Sequence, residues 1–263
     1  MFRDVSIGRY IPAESPVHRL DARVKLLAGF ALAVALFAVR TWAGFGVIAL
    51  YIAAAARAAR LPAGYLVRGL RPLAVLLLVT SALHALLTDG TVLWSFGPLR
   101  VTREGLEAAG FFSLRLVLLL TGLSLVTLTT SPLAMTDAVA WLLAPGARLG
   151  LPAHEIAMMM TIALRFVPTL MEELDRIIKA QLARGAVFDR GGPAARVRAL
   201  LPLLVPMFIS AFRRAEELGV AMEARCYRGG YGRTRWREAR PGPADWAALA
   251  VSGLLMAFVA WRM

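Results

Sequence analysis

Long apolar blocks alternate with short cationic breaks along the first half of the chain. Val24–Val39, Trp42–Ala59, Pro72–Thr88 and Phe111–Thr130 each carry at most one charged residue, and so does a fifth block, Asp245–Trp261. A helix needs about 20 apolar residues to cross a bilayer. The pattern therefore predicts five transmembrane helices, the first two joined as a tight hairpin across Arg40-Thr41. Inside a bilayer each backbone group must be satisfied within its own segment, so these blocks are read as helices and not strands.

Ser131–Pro243 follows another pattern. A short helix is expected over Met135–Leu143, started by Ser131-Pro132 and ended by the "APGARLGLP" stretch. Two longer segments then share one plan, an apolar start marked by proline and a charged end with helical spacing. They are "HEIAMMMTIALRFVPTLMEELDRIIKAQLARG" and "ARVRALLPLLVPMFISAFRRAEELGVAMEARC". Pro168, Pro202 and Pro206 are expected to bend or break them, and "FDRGGPAAR" reads as the turn between them. Counting Ile156–Leu170 and Leu200–Phe212 as spans would give seven. Both are short for a span and flow into charged helix without a turn, so helices lying at the membrane interface suit them better.

The resulting fold class is an all-α membrane protein with about five transmembrane helices and a cytoplasmic helical domain holding two long amphipathic helices. The expected divisions are a cytoplasmic N-terminal segment over residues 1–23, four spans over 24–130, a cytoplasmic three-helix domain over 131–243 and a last span over 244–263.

Composition agrees. Of 263 residues, 59% are hydrophobic, and the mean hydropathy is +0.64, above the roughly 45–50% apolar content of soluble domains. The net charge of +13 could suit nucleic acid, but beside so much apolar sequence it is better read as cationic loops on a membrane protein, with no nucleic-acid partner. Arg57, Arg60, Arg68 and Arg71 place the loop after the second block in the cytoplasm, with the N-terminus. The mixed-charge stretch "TDGTVLWSFGPLRVTREG" is then external, and so is the C-terminus. No cleavable signal peptide is expected, because no apolar run precedes Leu26. The single cysteine, Cys226, excludes an internal disulfide.

Catalytic chemistry is missing from the pattern. There is no His-Glu-x-x-His, no Gly-x-Ser-x-Gly, no acidic metal cluster and no Walker A loop. The expected catalytic, metal and cofactor sets are therefore empty. Arg115 reads as snorkelling to the external interface and His84 as a structural hydrogen-bonding residue. Trp42, Trp94 and Trp246 read as interface anchors, and Met158–Met160 as pliable packing.

Both amphipathic segments end in the same small-plus-cationic pair, Ala183-Arg184 followed by Gly185 and Ala224-Arg225 followed by Cys226. Helix capping explains either one alone, since arginine suits a helix C-terminus and glycine a C-cap. The repetition suggests more. A small residue admits a partner's backbone, and arginine offers a planar charged fork. Two helix ends of this kind fit two equivalent grooves on a dimeric or pseudo-dimeric partner.

"IGRYIPAESPVHRLDARVKLL" at Ile7–Leu27, "ALRFVPTLMEELDRIIKAQLARG" at Ala163–Gly185 and "AMEARCYRGGYGRTR" at Ala221–Arg235 resemble the transmembrane T component of energy-coupling factor (ECF) transporters, the EcfT/CbiQ family. The likeness is nearer to the shared-module branch than to the dedicated cobalt branch. It implies a non-catalytic coupling subunit of an ECF-type ABC importer in the prokaryotic cell membrane. Ala183, Arg184, Gly185, Ala224, Arg225 and Cys226 would then contact two ABC ATPase subunits, identical or distinct. A membrane-embedded substrate-binding S component would be moved by ATP-driven motion to take up a vitamin or transition-metal ion. ATP and magnesium would sit on the partners and none on this chain. Cys226 departs from the family's usual glycine. A left-handed backbone is disfavoured for cysteine, so Gly229 and Gly230 are expected to supply the turn slightly later. Ala22 stands where the family's "HRLDPR" has proline. A stand-alone polytopic permease with its own substrate path is the alternative.

Overall fold

The computed structural model describes residues 10–70, 73–96, 99–150, 152–186, 188, 192–229 and 241–262. Its helices are α1 (Pro16–Arg19), α2 (Ala22–Ala38), α3 (Trp42–Ala58), α4 (Ala63–Leu70), α5 (Ala74–Leu87), α6 (Arg103–Thr129), α7 (Pro132–Leu143), α8 (Ala153–Ala183), α9 (Pro193–Ala224) and α10 (Pro243–Arg262). A 3-10 segment, Ala144–Leu149, follows α7. Proline opens α1, α7, α9 and α10, where its missing N–H costs nothing and its φ is already helical.

Ile7–Ala138 with Arg237–Met263 form one compact unit and Val139–Trp236 another. In the first unit, Leu32, Leu36 and Val39 pack on Phe45, Ile48 and Ile52, with Leu118, Met256 and Val259 completing the core. α2 and α6 approach closely through small residues. A methyl group at Gly122 would overlap the Leu32 side chain, and one at Gly29 would stand 3.3 Å from Val126 Cγ2. Such small-residue seams supply the van der Waals contact that holds helices together in lipid.

The N-terminal segment is tied down at several points. The Ile11 amide donates to the Leu128 carbonyl, and the buried Lys25 ammonium donates to the carbonyls of Thr129 at 2.9 Å and His18 at 3.2 Å. Asp245 is fully engaged: one carboxylate oxygen accepts from the Asp21 amide and the other from the Gly242 amide, both at 2.7 Å.

α6 is long and apolar enough to cross a membrane, while α3, α5 and the Pro243–Val259 part of α10 are apolar but shorter. α6 begins earlier than the apolar block, because Thr102 caps it by accepting from the Gly105 amide. Its first turns carry Arg103, Glu104 and Glu107 and are invisible to hydropathy. The stretch read as an external loop contains an antiparallel hairpin, β1 (Val92–Phe96) and β2 (Leu99–Thr102).

Two further expectations change. Of the bend or break expected at the internal prolines, the break does not occur: α8 runs through Pro168, and α9 through Pro202 and Pro206, as single helices. Each proline removes one backbone hydrogen bond, and the bonds on either side suffice. Arg115 does not extend outward. Its guanidinium donates to the Val39 carbonyl at 2.9 Å and lies 5.2–5.9 Å from the ring centroids of Phe37, Phe45, Phe111 and Phe112. An open carbonyl beyond the end of α2 and four π faces take the place of water. His84 donates through Nδ1 to the Thr80 carbonyl at 2.8 Å. Trp42 and Trp246 are exposed, as is Met159, whereas Met158 lines a cleft of the second unit. The side chain of Trp94 lies outside the described residues.

Candidate functional site

The two Ala-Arg ends adopt one backbone geometry. At the end of α8, the Gly185 amide donates to the Leu182 carbonyl and the Ala186 amide to the Gln181 carbonyl, both at 3.0 Å. At the end of α9, the Cys226 amide donates to Glu223 at 2.9 Å and the Tyr227 amide to Met222 at 3.0 Å. Position for position, these are the same pair of closing bonds, the Schellman motif. It requires a left-handed residue after the cap, supplied by Gly185 at φ 83° and Cys226 at φ 58°.

The second helix therefore does not defer its turn. Cys226 itself takes the left-handed conformation, which costs a non-glycine residue roughly 1–2 kcal/mol. Gly229 is left-handed as well, at φ 79°, and Gly230 lies outside the described residues. The strain is offset because both closing bonds form and because Met222 and Tyr227, the two ends of the longer one, line a common cleft with Met158, Ile162 and Leu218. Gly185 has open space around the position a Cβ would take. Backbone conformation, and not crowding, is what its glycine provides.

Ala183, Arg184, Gly185, Ala224, Arg225 and Cys226 are all exposed. Among the described residues, neither Arg184 nor Arg225 makes a side-chain hydrogen bond or ion pair. Both guanidiniums are thus presented to solvent from rigid helix ends.

Packing of α8 against α9 sets where the ends point. Arg214 donates to the Glu173 carboxylate at 2.9 Å. Further along α9, Leu218 and Met222 share a cleft of about 470 Å³ with Met158 and Ile162, which lie earlier on α8. The helices are therefore antiparallel, and the two Ala-Arg ends lie in opposite directions from the Glu173–Arg214 contact. At 1.5 Å per residue each end stands roughly 17 Å beyond it. The Glu173 carboxyl is held below the ordinary carboxylate range, first by a hydrogen bond from Ser210 and then by Arg214.

The apolar half of α9 is left uncovered. Leu200, Leu201, Leu204, Val205, Phe208, Ile209 and Phe212 are all exposed. Among the described residues, no group of three or more His, Cys, Asp and Glu side chains is arranged to hold a metal ion.

Comparison with known proteins gives this arrangement a family. The profile of the cobalt transport protein family, CbiQ, matches residues 13–236. The energy-coupling factor transporter transmembrane protein EcfT of Thermosediminibacter oceani is 51% identical over 253 residues, covering 96% of each chain. That of Heliobacterium modesticaldum is 49% identical over 263 residues, covering 100% of this chain and 99% of its own. The Bacillus subtilis protein of the same name is 46% identical over 239 residues, 90% of each. An all-α membrane chain with two matched Ala-Arg helix ends, alike over nearly its whole length to these proteins, belongs to the EcfT/CbiQ family of transporter transmembrane components.

Proposed function

We propose that this chain is the non-catalytic coupling subunit of an ECF importer. The observation that carries the reading is the pair of helix ends closed by the same two hydrogen bonds, exposed, cationic and pointing in opposite directions along one helix pair. A helix end with a free arginine fork suits a groove lined by a carboxylate or by carbonyls. Two such ends suit two grooves, one on each of two ABC ATPase subunits. ATP and magnesium belong to those partners in this reading, and the chain binds no cofactor of its own. The uncovered apolar face over Leu200–Phe212 and the pliable Met158–Met160 run suit contact with lipid and with a membrane-embedded S component, which would choose the vitamin or metal ion carried. The N-terminus lies in the cytoplasm and the C-terminus outside.

The test is co-purification from native membranes of a tagged full-length chain. The expected result is two ATPase subunits and an S component in the complex, with no ATP hydrolysis by the chain alone. Solute uptake into vesicles holding this chain without any ATP-binding partner would overturn the reading in favour of a stand-alone permease.

A further inference from the structure

α6 finishes differently from its neighbours in sequence. α3, α8 and α9 each close on themselves: the Leu61 amide returns to the Ala56 carbonyl as Ala186 does to Gln181 and Tyr227 to Met222. α6 has no such bond. Thr130 leaves it extended, at φ −124° and ψ 127°. Among the described residues, no later backbone amide donates back into the helix. The last carbonyls of a helix then need donors from elsewhere.

Those donors come from the N-terminal segment and the start of α2. The Leu128 carbonyl accepts from the Ile11 amide at 3.0 Å. The Thr129 carbonyl accepts from the Lys25 ammonium at 2.9 Å, across 104 positions of sequence. Lys25, Leu128, Thr129 and Thr130 are all buried, so losing a donor would leave a buried carbonyl unpaired. A cation at this place also meets the negative end of the α6 dipole. The two donors are tied to each other. Lys25 donates a second time, to the His18 carbonyl at 3.2 Å. The His18 ring donates through Nε2 to the Ile11 carbonyl at 3.1 Å, while Nδ1 bonds the Ser15 hydroxyl at 2.7 Å. Ile11, His18 and Lys25 thus form one brace across the end of α6.

The place of this brace gives it a use. Only Thr130 and Ser131 separate α6 from α7. The chain passes from the first unit to the second within α7, between Ala138 and Val139. We propose that Lys25 and Ile11, joined through His18, are positioning residues that hold the end of α6 as the fixed side of the α6–α7 joint. A load arriving along α7 then turns the joint at Thr130 and Ser131 instead of unwinding the last turn of α6. The use in transport rests on the coupling-subunit reading, whereas the external cap of α6 stands on its own geometry.

The experiment is hydrogen exchange, read by mass spectrometry, on the full-length chain in lipid nanodiscs. K25M keeps the length of the side chain and loses the donor. H18A keeps Lys25 and its charge and cuts the tie to Ile11, and it decides alone if K25M does not fold. The amides of Val126–Thr129 should exchange about tenfold faster in K25M, the weight of one charge-assisted hydrogen bond in a local opening, and less so in H18A. S252A, which removes a contact of Tyr51 between α3 and α10, should leave those amides unchanged. Unaltered exchange at Val126–Thr129 in the folded variants would overturn the proposal. So would acceleration spread evenly through the first unit, the mark of a general loss of stability. The second readout is the complex with ATPase subunits and an S component in proteoliposomes. K25M should still assemble and hydrolyse ATP, with a loss of uptake per ATP hydrolysed. Full uptake per ATP beside a loosened α6 end would overturn the positioning role. Absence of ATP-driven uptake by the unaltered complex would instead overturn the coupling-subunit reading, and the exchange measurement would still decide the cap.

Discussion

The carboxylate of Glu173 and the guanidinium of Arg214 meet at 2.9 Å, and the two residues stand 41 positions apart. The same interval separates Arg184 from Arg225. Glu173 and Arg214 are therefore equivalent positions of a repeated helix plan, carrying opposite charges. A pairing of α8 with another α8, or of α9 with another α9, would set like charges face to face. Unlike charges at the contact favour the α8–α9 pair and disfavour both alternatives.

Reversing one of these charges should weaken the pair, and reversing both should restore it. Both side chains are partly exposed, so the coupling is expected at up to about 1 kcal/mol. A double-mutant cycle of E173R, R214E and E173R/R214E, read by thermal unfolding in detergent, measures it. A double variant no more stable than the two single losses predict would remove the ion pair from the account.

The same contact sets a pH dependence. Glu173 is held below the ordinary carboxylate range in the folded chain. Its contribution is thus present above that range and is lost as pH falls through the lowered value. The stability gap between the native chain and E173Q should be constant near neutral pH and close below about pH 4. A gap that instead widened in acid would contradict the sign.

Truncating Arg184 or Arg225 to alanine should leave the isolated chain as stable as before, because neither guanidinium has a side-chain partner among the described residues. Docking of ATPase subunits should weaken by about 2–5 kcal/mol per site if each arginine fills a buried charged groove. Affinity measured with purified ATPase subunits checks this. Undiminished affinity in R184A/R225A would remove the arginines from the interface.

Cys226 should be improvable. C226G keeps both closing bonds and removes the strain of a left-handed cysteine, raising stability by roughly 1 kcal/mol. G185A should lose a similar amount at the matching position. Opposite shifts in the melting temperatures of the two variants are the expected signature.

At the α2–α6 seam, G122A should destabilise by about 1–3 kcal/mol, since the added methyl overlaps Leu32. Shortening the obstacle in G122A/L32A should recover part of that loss. A fully additive pair would mean that the two side chains do not compete for the same space.

Much of this fold is legible in the chain because its signals are local. Apolar blocks mark α2, α3, α5 and α10, and proline marks where several helices begin. Ser131-Pro132 announces α7, with the Ser131 hydroxyl accepting from the Ala134 amide. The misses occur where a neighbour decides. The first turns of α6 carry charges that hydropathy discards, although Thr102 caps them. The hairpin at Val92–Thr102 depends on pairing between two short runs. Arg115 looks like any arginine near a helix end until Val39 and four phenylalanine rings surround it. At Cys226 residue preference pointed the wrong way. Two hydrogen bonds and a shared apolar cleft outweigh the preference for glycine, a balance that no single-residue rule contains. The Ala-Arg ends were visible as a repetition, but their opposite directions depend on how α8 and α9 pair.

The equal spacing of Arg184 and Arg225 from the Glu173–Arg214 contact has a mechanical consequence. The helix pair is a balance beam with arms of the same length. Equal pushes in one sense at both ends translate the beam without turning it. Equal pushes in opposite senses turn it without displacing its fulcrum. The two motions are separate modes, so whatever grips the ends can drive rotation alone only by acting on both together.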